Sequence, residues 1–262
     1  MSILLLNGGR AVAGSGGTGV VPFFADDFGG TQRNPANGFT YGGTGSRVSV
    51  VSFDGYNALR FRYGPDAVGA GGITVEQPFA LGRQLQELWL EYYLHIPSNL
   101  VLRSDPPNTD PNKLLALWPN NYSTVGEPHV VTEFWRNGSD STSYARILGL
   151  GDLYPTQLIR GGDAFQNQDF INTARAGAWH RLRVHYKLSS GAGQTDGVYE
   201  GWLGNTLMWR SRSDWVFWYT GGVNFIANGY LMGASNPGYT NQTDYHIRSL
   251  KFYDTNPNWG MV

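Results

Sequence analysis

The stretch GAWHRLRVHYKLSSGAGQTDGVYEGWLGNTLMW, Gly177 to Trp209, reads as three consecutive strands. From Trp179 to Leu188 the side chains alternate. Leu182, Val184, Tyr186 and Leu188 fall on one face, and Arg181, Arg183, His185 and Lys187 on the other. A strand has a period of two, so the pattern predicts a half-buried strand with a basic outer row. Ser189 to Gly197 is a loop and Val198 to Leu203 a second strand. Gly204-Asn205 suits a tight hairpin turn, because both residue types tolerate positive φ. Thr206 to Trp209 returns as the third strand.

The same patterns recur outward from this stretch. In Leu88 to Ile96, Leu88, Leu90, Tyr92, Leu94 and Ile96 share one face, and Trp89, Glu91, Tyr93 and His95 the other. That suits a core on one side and a wet aromatic surface on the other. Arg47 to Ser52 and Ala58 to Tyr63 read as a hairpin across Asp54-Gly55. Ile73 to Phe79, Lys113 to Trp118, Val130 to Asn137, Ser143 to Leu148, Asn224 to Met232 and Tyr245 to Tyr253 are further strand candidates. On the Val130 strand, Glu133 and Trp135 share a face opposite Thr132 and Phe134. Arg103 to Asn112 carries three prolines, which forbid regular pairing. About a dozen strands, Gly turns and no helical period predict an all-β fold, an antiparallel sandwich or jelly roll.

Composition agrees. The chain has 262 residues, with 36 Gly, 9 Trp, 15 Tyr and 13 Phe, and only 15% charged residues. That suits short strands joined by tight turns. Net charge is −1, so no global basic field is available for nucleic acid. The absence of Cys excludes disulfides and thiolate metal sites. The start lacks the basic n-region and long apolar core of a secretory signal, and no apolar run is long enough to span a membrane as a helix. Gly14-Ser15-Gly16-Gly17 has no Lys after it, so it is not a phosphate loop. The expected organisation is a Gly-rich arm over 1–21, a sandwich domain over 22–254 and a tail over 255–262. Within the arm, Ile3, Leu4, Leu5 and Leu6 either dock on a neighbouring subunit or add an edge strand to their own domain.

Trp179-His180, His185-Tyr186-Lys187, the Asp196-Gly197 turn and the aromatic strand after it resemble a hairpin of the concanavalin A-like sandwiches. The nearest branch is that of the polysaccharide lyases, such as heparin, alginate and glucuronan lyases. Gly229-Tyr230-Leu231-Met232-Gly233 and Ile247 to Asp254 are similar to that family's last two strands, and Asp26-Asp27-Phe28 to its opening strand. Similar sequences also occur in phage structural proteins.

The resemblance implies a concave sheet face that grips an acidic polysaccharide. β-Elimination then needs a cation to neutralise the uronate carboxylate, a base to take the α-proton and an acid to protonate the leaving oxygen. The candidates for these roles are Arg181, Arg183, His185, Lys187, Tyr93 and His95. The departure is the absence of a Gln-Ile-His or Glu-Leu-Arg strand, so the plain alternative is a solvated basic face. Trp89, Trp135, Trp202, Arg183 and His185 are candidates for holding a sugar, and the indole planes suit its apolar face. Trp215 and Trp218 belong to an aromatic cluster with Phe217 and Tyr219, from which some rings are expected to meet a partner. Asp26, Asp27 and Asp254 would approach one another if the first and last strands pair. A structural Ca²⁺ is a minor expectation there, and no other cofactor is expected.

Three functions follow. The first is a structural or attachment protein of a virion, assembled in the host cytoplasm, with other virion proteins and its own copies as partners. The second is an extracellular lyase of a uronate polymer. The third is a non-catalytic sugar-binding module.

Overall fold

A computed structural model describes residues 19–29, 40–41, 47–65, 73–101, 112–122, 126–135, 144–150, 165–166, 170–235 and 238–260, without side chains at 40–41, 73, 135, 144–150 and 165–166. Ile3 to Leu6 and the side chain of Trp135 therefore lie outside the described residues. Fifteen strands are described: β1 (Phe24–Asp26), β2 (Thr40–Tyr41), β3 (Val48–Phe53), β4 (Tyr56–Tyr63), β5 (Ile73–Leu85), β6 (Glu87–Ile96), β7 (Asn112–Trp118), β8 (His129–Trp135), β9 (Tyr144–Leu150), β10 (Phe165–Gln166), β11 (Ala178–Lys187), β12 (Val198–Leu203), β13 (Thr206–Arg210), β14 (Ile226–Ser235) and β15 (Thr243–Tyr253).

They form two antiparallel sheets. The nine-stranded sheet runs β10-β13-β12-β11-β6-β15-β4-β3, with β1 also on β15, and the six-stranded sheet runs β2-β5-β14-β7-β8-β9. The hairpins fall where the turn residues put them. Asp54 and Gly55 both have positive φ, the pattern of a I′ turn. At the β12–β13 turn only Gly204 does, which fits a II′ turn.

The inward faces meet in one core. Leu90, Tyr92, Leu94, Val184 and Tyr186 come from the larger sheet and Leu81, Leu115, Leu117, Val130 and Phe134 from the smaller. The alternation on β6 and β11 thus separates the core face from the outer face as the sequence predicts, but the outer face is not the wet surface expected, because Trp89, Glu91, His95, Arg183 and His185 are themselves buried there. Side-chain hydrogen bonds cross the core at two places among the described residues. Tyr63 Oη donates to the carbonyls of Gly233 and Val75, and Thr132 Oγ1 lies 2.5 Å from Tyr199 Oη.

One expectation is overturned. Trp215, Phe217 and Tyr219 are buried, and Trp218 is half-buried. The segment is not a strand, so successive rings are free to turn inward. Ser189 Oγ holds it by accepting the Phe217 N–H, and Phe217 packs edge-on against Tyr186 and Trp215. Trp215 is therefore a core residue of its own chain and not an exposed partner contact.

Candidate functional site

The two outer faces differ in how their charges are used. On the nine-stranded sheet, β11 lies between β12 and β6. This register sets Arg183 opposite Glu91 and Trp202, and His185 opposite Trp89 and Glu200. Every member of the basic row has a carboxylate. Buried Glu91 takes Arg181 through its Nε and Nη2 atoms, with Arg183 Nε and Lys251 Nζ each 3.6 Å away. His185 lies flat on Trp89, with Nε2 2.8 Å from Glu87 and Nδ1 3.3 Å from Glu200. Burial alone would raise the Glu200 carboxyl. Hydrogen bonds from His185 and Arg210 outweigh it and hold the carboxyl below its ordinary value. Lys187 reaches Asp196.

This face brings together Arg181, Arg183, His185, Trp89 and Trp202, but as a charge-balanced ladder. A substrate carboxylate would have to displace Glu91 or Glu200 to use those cations. Tyr93 and His95 stand further along β6, about 7 Å apart by strand rise. Arg248 covers the Tyr93 ring. His95 borders a cleft of about 470 Å³ with Arg60, Asp244 and His246. Burial lowers its pKa. Asp26, Asp27 and Asp254 remain apart in role, although β1 and β15 do pair. Asp26 and Asp27 accept the N–H groups of Phe28 and Gly29, while Asp254 pairs with Arg83. Among the described residues no group of three or more His, Cys, Asp or Glu is placed to hold a metal ion.

On the six-stranded sheet, β7, β8 and β14 send Lys113, Trp118, His129 and Tyr230 outward around Tyr122. Lys113 Nζ donates to Tyr122 Oη at 3.0 Å, and Tyr230 Oη donates to the same oxygen at 3.3 Å. The Trp118, His129 and Tyr230 rings lie 5.3, 5.0 and 5.6 Å from that of Tyr122. Tyr122 is 37% exposed while Tyr230 is 4% exposed, so one phenol faces solvent and the other supports it from beneath. Burial, then the neighbouring Tyr122, pushes the Tyr230 phenol well above its ordinary value, so it stays a donor. His129 is fully buried and, among the described residues, neither ring nitrogen has a hydrogen-bond partner. Burial, and next the charge of Lys113, lowers its pKa to about 4, so it is neutral near pH 7.

Local backbone features position this group. The turn before Tyr122 is clamped by Glu127, which accepts the N–H groups of Asn120 and Asn121, and by Asn228, which donates to the Pro119 carbonyl. The register of β14 against β7 shifts between Leu231 and Ser235, and Met232 takes φ 58° there. A side chain so placed is strained, and such strain collects at functional sites. A Cβ at Gly233 would meet Lys113 Cβ at 2.7 Å and the Tyr230 ring at 2.9 Å. The glycine lets both side chains lie over the strand.

None of Lys113, Tyr122, His129 and Tyr230 stands out in the sequence as a site residue. Lys113 heads a short apolar run, and Tyr122 sits in a turn. The available signal was the β8 alternation His129-Val131-Glu133 beside the family-like Gly229 to Gly233.

No family model and no curated protein matches the sequence. Solved structures do. The alginate lyase Aly36B, with a lysine and a methionine replaced by alanine and alginate trisaccharide bound, superposes with a TM-score of 0.65 at 14% identity, covering 88% of this chain and 98% of that one. The alginate lyase vAL-1 from Chlorella virus gives 0.57 at 12% identity, over 82% and 93% of the two chains. A structure from work on endo-acting O-glycanases of the human gut microbiota gives 0.51 at 10%, over 90% and 100%. At these identities the likeness is one of fold. The chain has the concanavalin A-like β-sandwich, in the form that alginate lyases carry.

Proposed function

We propose that the chain is a lyase of a uronate-containing polysaccharide, acting on the outer face of the six-stranded sheet. The observation that carries this reading is the Lys113–Tyr122–Tyr230 assembly. A cation donates to a solvent-facing phenol, which a second, protonated phenol also addresses. Lys113 would neutralise the uronate carboxylate. Tyr122 Oη, having first given its own proton to solvent, would act as the phenolate and take the proton α to it. The C–H electrons become the new C=C bond, the glycosidic C–O bond at the β carbon breaks, and Tyr122 returns the proton to the leaving oxygen. Trp118 supplies a plane for a sugar ring. Among the supporting structures, Aly36B is also known with a lysine and a tyrosine replaced and alginate tetrasaccharide bound. Hydrolysis by a carboxylate pair fits less well. Glu76 on β5 and Glu133 on β8 are three strand spacings apart, about 14 Å. Paired glycosidase carboxylates lie within about 10 Å.

The test is ultraviolet absorbance of the unsaturated product after mixing with alginate, glucuronan or heparin. Wild type is expected to raise it. Lys113→Ala and Tyr122→Phe, folded by circular dichroism, are expected to lose at least about 100-fold of the rate. No rise with any of these polymers between pH 5 and 10 would overturn the assignment. A second reading keeps the same face without chemistry: a glycan-binding attachment protein of a virion, with virion proteins and its own copies as partners. The Gly-rich arm over 1–21 favours it, as does the occurrence of this fold in a Chlorella virus enzyme. Polymer binding without absorbance change, together with the chain's presence in purified particles, would support it.

A further inference from the structure

A second cleft lies on the outer face of the nine-stranded sheet. It holds about 300 Å³ and is walled by Trp89, Trp202 and Trp259, with the Glu200–Arg210 pair and two asparagines, Asn256 and Asn258, at its edge. We propose that this cleft is a separate, non-catalytic site for one or two rings of a neutral saccharide.

The lining has the chemistry such a ligand needs. The C–H faces of a pyranose pack on indole planes, and its hydroxyls exchange hydrogen bonds with carboxylate, guanidinium and amide groups. A few polar groups converging in an apolar concavity is the usual form of a small-ligand site, and this volume lies at the small end of about 300–1000 Å³. The charge argues for a neutral ligand. Arg210 Nε lies 2.6 Å from Glu200 Oε2, so the two charged residues of the lining cancel each other. A uronate would meet the Glu200 carboxylate, and among the described residues of the lining no free cation answers it.

The walls are already in place. Trp89 is fixed by the His185 ring stacked on it at 3.7 Å and by its indole N–H, which donates to Glu87. Glu200 is held by His185 through one oxygen and by Arg210 through the other. Little conformational freedom is left to lose on binding, which favours affinity. The remaining wall comes from the segment after β15, expected from sequence to be a plain tail. Asn258 takes φ 50°, its N–H bonded to Asn256 Oδ1, and Gly260 takes φ 67°. The chain so turned sets Trp259 edge-on to Trp89 at 5.3 Å and to Tyr253 at 6.2 Å, with the Arg183 guanidinium 5.4 Å from its ring. The tail is therefore half of the cleft.

This site is independent of the lyase reading, since the two faces belong to different sheets. The test titrates intrinsic tryptophan fluorescence with neutral disaccharides built on glucose, galactose or mannose, and with alginate oligosaccharides as the acidic arm. Wild type and Tyr122→Phe are both expected to give a saturable change with at least one neutral disaccharide. Trp259→Ala and Asn256→Ala are expected to weaken that binding at least tenfold. Asn256 is exposed, so its variant leaves the sandwich core intact while removing both a polar edge group and the acceptor of the Asn258 N–H that turns the tail. No saturable change with any neutral disaccharide overturns the proposal. So does unweakened binding by Trp259→Ala, or binding confined to the alginate oligosaccharides. Failure of the polymer-cleavage assay alone leaves it standing.

Discussion

Two imidazoles contribute acid sensitivity to this protein. His129 and His246 are both buried, and both have pKa values lowered from the ordinary 6.5 to about 4. For His246 burial is the main cause, followed by His95, and the ring also lies stacked on Phe53 at 3.8 Å. A histidine whose folded pKa is depressed binds fewer protons in the fold than in the unfolded chain. Its contribution is therefore complete above about pH 6.5 and is lost as pH falls toward 4. At the low end each histidine costs on the order of 3 kcal/mol. The urea midpoint of wild type should fall through this window, and that of the His129→Gln/His246→Gln variant should fall less. Parallel pH profiles for the two proteins would contradict the assignment. In the sequence, alternation displays His95 and His185 on strand faces, whereas His129 stands at the edge of its apolar run and only the fold buries it.

Alternation along β6 and β11 identifies the outward residues of each strand correctly, but it is silent about what stands opposite. The pairing of Arg183 with Glu91 joins strands about 90 residues apart in sequence, and no local pattern encodes that register. A row of Arg, His and Lys read alone is an anion-binding surface. The same row read against Glu87, Glu91 and Glu200 is a seam that ties β6, β11, β12 and β15 together. Glu91 is its centre, with three cations around one buried carboxylate. Removing one partner of a buried pair typically costs about 3–5 kcal/mol, because it strands the rest. Glu91→Ala should therefore lower unfolding stability by about 3 kcal/mol. Lys187→Ala, which breaks only an exposed pair with Asp196, should change it by less than about 1 kcal/mol. Equal effects of the two in urea titration would mean that the seam does not act as a unit.

At the scale of the whole molecule, the sandwich was legible because it rests on period-two patterns and turn chemistry, both local in sequence. The strand order and the candidate lyase face were not. That face gathers Lys113, Tyr122, His129 and Tyr230 from three strands and a turn, and their meeting depends on β14 lying between β5 and β7. The two faces share only the core between them, so what joins the sheets decides whether they stay in register. The shortest described link is Thr132 Oγ1 to Tyr199 Oη at 2.5 Å, where both residues are fully buried. Tyr199→Phe keeps the packing but leaves the Thr132 hydroxyl dry and without that bond, which should cost about 1–3 kcal/mol. Adding Thr132→Val removes the stranded hydroxyl at similar volume. The double variant should therefore be more stable than Tyr199→Phe alone, although it has lost one more polar group. Independent, additive losses in the two single variants would show that the bond contributes nothing to holding one sheet on the other.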